Sequence, residues 1–247
     1  MIQQAAGFAA LMPFDKDAFG CSVISTAQAY GMNTAAAQFW VGDGFAVRRQ
    51  DSTVTLCGEV PQESAEELRE FLPCIGMRTL VCSWQNSHIL ALKTAETGLE
   101  MELAGQISAP PEKLHFASAV PAEDDLRLRE MYEVLSACAA PDFQVTPFEP
   151  FYLDMSHRIR HRAVVCAGAY RQGKLCACAS AALSPARMLL FGGAALPQVR
   201  GTGAFAAVLA GLVQKAAQNR AVSLLCGEYL RQHYQTFGFI EKHTAGI

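Results

Sequence analysis

Apolar positions along the 247-residue chain fall into strand-like and helix-like rhythms, and one order of rhythms occurs twice. In the second half, apolar runs cover Ala163–Tyr170, Leu175–Leu183 and Met188–Leu196. The polar turns Arg171-Gln172-Gly173-Lys174 and Ser184-Pro185-Ala186-Arg187 separate them, which predicts a three-strand meander ended by Pro197. From Ala204 to about Ala217 the period becomes helical. Phe205, Val208, Leu209, Leu212 and Val213 form one stripe at i, i+3, i+4, i+7 and i+8. A strand over Val222–Cys226, a helix over Glu228–Gln235 and a short strand from Phe239 follow. Ahead of the meander, Leu128, Met131, Tyr132 and Leu135 mark one amphipathic helix. A second helix is predicted over Pro150–Arg162, with its proline in the tolerated first turn.

The first half repeats this order in shortened form. Phe39–Val41 and Phe45–Arg49 flank an Asp43-Gly44 turn, and Thr53–Cys57 follows. A helix over about Gln62–Leu72 then leads to a strand at Thr79–Cys82. The paired prolines of Ser108-Ala109-Pro110-Pro111-Glu112-Lys113 interrupt regular structure between the two halves. The acidic run Pro121-Ala122-Glu123-Asp124-Asp125 suits the N-terminus of the next helix. These signals divide the chain into residues 1–118 and 119–247.

Composition narrows the classes. Hydrophobic residues make up 51% and charged residues 17%, which excludes a disordered chain. A net charge of −3 leaves no electrostatic footprint for nucleic acid or an anionic membrane. No apolar run approaches the roughly 18 residues of a membrane span. The N-terminal stretch has no Lys or Arg before Lys16, so it lacks the basic flank of a signal peptide. A soluble cytoplasmic protein is expected. The nine cysteines lie mostly in apolar runs, are odd in number and lack paired spacing, as for free, buried thiols. Cys176-Ala177-Cys178 would place two thiols on one strand face, but without a second ligand pair it predicts no metal site.

The strongest chemical signal is Pro197-Gln198-Val199-Arg200-Gly201-Thr202-Gly203-Ala204, between an apolar strand and an amphipathic helix. Small residues there let backbone N–H groups approach an anion, and the helix N-terminus adds its positive dipole end. A phosphate or pyrophosphate suits such a site, and a plain strand-to-helix turn is the competing reading. Gly201-x-Gly203-x-x-Ala206 also satisfies a dinucleotide fingerprint, with Glu228 as a ribose acceptor. That fingerprint normally opens a longer alternation of strands and helices than follows here. Glu228 has a second possible role: it opens the last helix near the strand ends, where a carboxylate could take a proton through water or stabilise the helix. His157 and His161 have helical metal-ligand spacing, but neighbouring arginines would repel a cation, so a solvated basic helix end is expected.

The loop resembles the acetyl-CoA pyrophosphate loop of GNAT-type N-acetyltransferases, whose core pattern is Arg/Gln-x-x-Gly-x-Gly/Ala. Arg200, Gly203 and Phe205 occupy its marked positions in one placement, and Gln198, Gly201 and Gly203 match it in full when shifted by two. Tyr234-Gln235-Thr236-Phe237-Gly238-Phe239 is similar to the family's Tyr-x-x-x-Gly-Phe segment. The resemblance covers roughly residues 122–247. It implies an α/β fold of two GNAT-like domains in tandem, each a mixed, mostly antiparallel sheet flanked by helices, the N-terminal one degenerate. It implies acetyl-CoA as co-substrate, no metal, and direct acetyl transfer to a primary amine of a small molecule or peptide, with room for a homodimer. Carried over residue by residue, Gly193, Ala194 and Ala195 would meet the acyl arm, and Gly192-Gly193 would mark a bulge or close backbone approach. Arg200, Gly201, Thr202, Gly203, Ala204 and Phe205 would hold the pyrophosphate, and Tyr234 would protonate the departing thiolate. The helix carrying His157 would border the acceptor pocket. Phe205 and Gly227 depart from the usual residues, which keeps open a second class: an acyl-CoA-binding or interaction module without catalysis.

Overall fold

The computed structural model describes residues 1–93, 96–107, 119–121, 127–141 and 143–246. The proline-rich junction at 108–113 and the acidic run after Pro121 lie outside the described residues. The first half runs β1 (Gln3–Gln4), α1 (Ala18–Tyr30), β2 (Gln38–Val41), β3 (Phe45–Gln50), β4 (Thr53–Gly58), α2 (Ala65–Cys74), β5 (Thr79–Ser83), α3 (Trp84–Ile89) and β6 (Thr97–Leu103). The second runs β7 (Ala119–Pro121), α4 (Leu128–Ala137), α5 (Phe148–Arg160), β8 (Val164–Arg171), β9 (Lys174–Leu183), β10 (Arg187–Ala195), α6 (Ala204–Ala216), β11 (Ala221–Gly227), α7 (Arg231–Gln235) and β12 (Phe239–Gly246). From the meander onward the two halves share one order of elements, the internal repeat expected from the apolar rhythms; before it the second half has two helices where the first has one.

The strands form one sheet in the order β1-β2-β3-β4-β5-β12-β6-β11-β10-β9-β8-β7. Neighbours are antiparallel except β4 with β5 and β10 with β11, the pair flanking the crossover helix in each half. At the middle of the sheet the halves trade strands. β6 lies between β11 and β12, and β12 lies between β6 and β5. Each half's final strand is thus hydrogen-bonded to the other half's penultimate strand.

Side-chain alternation on β8 and β9 feeds two layers. One face presents Ala167, Ala177, Ala179 and Ala181 to Val208, Leu209 and Leu212 of α6. Those short side chains let the helix approach closely. The other face packs Val164, Cys166 and Cys178 against Met131 and Leu135 of α4, Met155 of α5 and Cys21 of α1. The two thiols of Cys176 and Cys178 do not share a face as expected. Tyr170 pairs with Leu175 and Ala169 with Ala177, so Cys176 is the extra residue of a bulge and joins the α6 layer.

Five elements have no counterpart in the predicted set: β1, α1, α3, β6 and β7. α1 is buried on nearly all sides, so no polar stripe marks it, and its signal is the N-cap: Asp17 accepts from the Gly20 N–H at 2.6 Å. β6 carries Glu100 and Glu102, which disguise it as surface chain. Glu100 is nonetheless only 2% exposed, and its Oε1 accepts from the Ala18 N–H at 2.8 Å, at the positive end of α1. β7 is three residues at the sheet edge, too short to read.

Candidate active site

β10 stays paired with β11 only from Arg187 opposite Ala221 to Leu190 opposite Leu224. Beyond that point β10 follows β9 to Ala195, while β11 follows β6 to Gly227, and the two strands part. The divergence begins at a bulge. Phe191 opposes Ser180 and Ala194 opposes Cys178, with Gly192 between them at a φ of 56° that favours glycine. Gly193 gives close approach as well, since a Cβ there would lie 2.9 Å from the Phe205 ring.

The loop after β10 makes a short 3-10 turn over Pro197–Val199 and enters α6 through Gly201 and Gly203, at φ 73° and 90°. The first bond of α6 runs from the Ala207 N–H to the Gly203 carbonyl, so the preceding N–H groups of Ala204, Phe205 and Ala206 have no helical partner. Arg200 is exposed, and its Nε donates to the Ala195 carbonyl at 3.1 Å, which anchors the guanidinium at the end of β10 on the same cleft as those amides. No acidic side chain stands in the loop. The arrangement can bind an anion through backbone N–H groups, a helix dipole and one arginine.

A cleft of about 1100 Å³ opens over this loop. Of the residues singled out from the sequence, Gly193, Ala194, Ala195, Arg200, Gly201, Gly203, Ala204, Phe205 and Tyr234 all line it. Thr202 does not, because its Oγ1 turns back to donate to the Val199 carbonyl at 2.6 Å. Tyr234 packs edge-on to Phe239, and burial pushes its phenol up to about 12. Its hydroxyl makes no hydrogen bond to another described residue.

A second cavity of about 540 Å³ adjoins the first. Glu228 lines this one and not the loop cleft; its exposed carboxylate pairs with Arg231 at 2.7 Å. Glu96 is the other carboxylate on its wall. His233 in the main cleft escaped the sequence reading, although it directly precedes Tyr234. Its ring lies over Phe205 at 6.0 Å and edge-on to Phe237 at 4.9 Å, and burial holds its imidazole below the ordinary value.

The matching gap in the first half is closed. β4 and β5 pair only from Thr53 opposite Thr79 to Thr55 opposite Val81, and then they part. Buried Asn86 fills the opening: its Nδ2 donates to the Gly58 carbonyl at 2.9 Å, and its Oδ1 accepts from the Val60 N–H at 3.1 Å.

The helix end carrying His157 and His161 is solvated in part as expected: Arg160, His161 and Arg162 are exposed, whereas His157 is half-buried and Arg158 buried. His157 stacks on Tyr30 at 4.5 Å and meets the Ala29 carbonyl at 2.9 Å, while Arg158 is buried with its Nε on Asp154. Packing of α5 on α1 draws His157 and Arg158 inward, and no residue of α5 lines either cavity. Among the described residues no group of three His, Cys, Asp or Glu could hold a metal ion, and no helix is long and apolar enough to cross a membrane.

No protein-family model matches the sequence, and no curated protein matches it. Solved structures do. A GCN5-related N-acetyltransferase from Kribbella flavida is 13% identical with a TM-score of 0.61, over 98% of this chain and 95% of that one. A GNAT-family acetyltransferase from Colwellia psychrerythraea is 14% identical with a TM-score of 0.59, over 100% and 98%. A tandem GNAT protein from the clavulanic acid biosynthesis pathway is 12% identical with a TM-score of 0.58, over 100% and 97%. At such identities the likeness speaks for the fold, and it extends over both halves. The chain has the tandem GNAT fold, with an open strand gap in its second half and a filled one in its first.

Proposed function

We propose that the protein is an N-acyltransferase that moves an acetyl group from acetyl-CoA directly to a primary amine of a small molecule or peptide. The observation that carries this reading is the parting of β10 from β11 beside an anion-ready helix terminus. The pyrophosphate of CoA would meet the amides of Ala204–Ala206 and the Arg200 guanidinium. The acyl arm would run along Gly193, Ala194 and Ala195, where β10 has lost its β11 partner. The amine would enter from the second cavity, whose carboxylates Glu96 and Glu228 suit an ammonium group. The ammonium first gives a proton through water to Glu228; the neutral nitrogen then attacks the thioester carbonyl carbon, a C–N bond forms and the C–S bond breaks. Tyr234 gives its proton to the leaving thiolate, and the second proton shed by the nitrogen returns to the phenol through water. A phenol raised by burial holds that proton at neutral pH. Nine free thiols support a reducing compartment such as the cytoplasm.

The first half serves as structure in this scheme, since Asn86 occupies the gap a pantetheine arm would need. Acetyl-CoA at 100 times its Kd should add about 2.7 kcal/mol of stability, and roughly 2–4 °C of Tm per kcal/mol is typical at this size. Thermal melts with millimolar acetyl-CoA check this, and calorimetry should count one molecule per chain. Gly203→Glu should abolish the shift by placing a charge in the phosphate cradle. An unmoved Tm in the wild type would overturn the reading. The pairing of Glu228 with Arg231 favours one second reading, a binding module without turnover. A panel of amines assayed for acetyl transfer separates the two.

A further inference from the structure

We propose that Phe205 limits the acyl group to a short chain by walling off the leucine-lined part of the second cavity from the acyl site, leaving the amine its approach past the carboxylates. This rests on the acyl-CoA reading above and adds the substrate class. Both cavities are bounded by Phe143, Gly193, Phe205, Tyr229, Leu230 and Tyr234. Phe205 is pressed against β10, its ring so near Gly193 that a Cβ there would stand 2.9 and 3.0 Å from two ring carbons, while Tyr229 lies against Gly227 of β11. On its other sides the ring meets His233 and Phe237, with centroids 6.0 and 6.2 Å away, so neighbours hold it in place.

An acyl group lying along Gly193–Ala195 therefore ends against this ring. Beyond the ring lies apolar space walled by Leu99, Leu190, Leu209 and Leu224. That space would receive a longer chain if the ring were absent. A buried methylene contributes about fourfold in affinity. Four methylenes distinguish hexanoyl from acetyl, a potential gain on the order of 10²-fold. The wild type forgoes this gain because the ring stands in the way.

The acceptor being unidentified, the test reads binding. Calorimetry with acetyl-CoA and hexanoyl-CoA is compared for the wild type, Phe205→Ala and Phe205→Leu, with melts confirming that each variant is folded. The wild type should bind hexanoyl-CoA no more tightly than acetyl-CoA. In Phe205→Ala the ratio should move toward hexanoyl-CoA by on the order of 10²-fold. Phe205→Leu, which keeps the packing but shortens the wall, should fall between and stands in if the alanine variant is unfolded. A ratio unchanged in the folded variants, with acetyl-CoA still bound by the wild type, overturns the partition alone. A wild type that binds neither thioester overturns the acyl-CoA reading and the partition with it.

Discussion

Tyr234 joins two properties that a proton donor to a thiolate needs. Its ring is held by Phe239, and its hydroxyl is not committed to another described residue. Tyr234→Phe keeps the ring and removes the proton. It should lower kcat by about 10²–10⁴-fold and leave acetyl-CoA affinity within about twofold, a split that steady-state kinetics beside calorimetry would resolve. Equal losses in both would assign the residue to binding instead. The sequence made Tyr234 and the two loop glycines legible because each stands in a local pattern that needs a particular residue type. Gly201 and Gly203 supply positive φ, and a glycine between a strand and a helix announces that need. Thr202 misleads for the opposite reason: its hydroxyl has an acceptor three residues back, and only the folded turn brings the two together. His233 went unread because Phe205, which brings it to the cleft wall, is distant in sequence.

At the scale of elements, the two halves offer an internal comparison. The same parallel pair parts in each, and in the first half Asn86 hydrogen-bonds into the gap. Asn86 acts as a donor and an acceptor for backbone groups that would otherwise be buried without partners. Asn86→Ala should cost about 1–3 kcal/mol in urea unfolding through the unsatisfied Gly58 carbonyl and Val60 N–H. Acetyl-CoA binding by the second half should be unaffected. α6 was readable because it has one wetter face, and the meander strands, buried on both faces, were readable as continuous apolar runs bounded by polar turns. α1 has no wet face, and β6 hides two glutamates in the middle of a sheet. Periodicity describes the boundary between core and solvent, so it carries little information where no such boundary exists.

For the molecule as a whole, the centre of the sheet is also its most unusual electrostatic region. Burial raises both Glu100 and Asp17 above the ordinary carboxylate value, and the Asp17 charge further raises Glu100, with Arg187 and His243 opposing. A carboxyl that binds its proton more tightly when folded contributes stability below its unfolded value near 4.5 and loses it as pH rises through the folded value. Glu100→Gln keeps an acceptor for the Ala18 N–H but cannot ionise. Its stability relative to the wild type should therefore improve as pH rises from about 4.5 toward neutrality, measured by urea midpoints across that range. A difference independent of pH would show that Glu100 titrates as freely in the folded chain as in the unfolded one.

The exchanged strands have a consequence for how the chain is made. Synthesis runs from the N-terminus, so β5 and β6 leave the ribosome before β11 and β12 exist. For that interval β5 carries an unpaired edge and β6 has neither of its neighbours, a template for pairing with the wrong chain. The glutamates of β6 then act in the nascent chain as charged guards, since a segment with two carboxylates resists stacking on its own kind. The feature that conceals the strand from a reader of the sequence thus also shields it while it waits for β11 and β12.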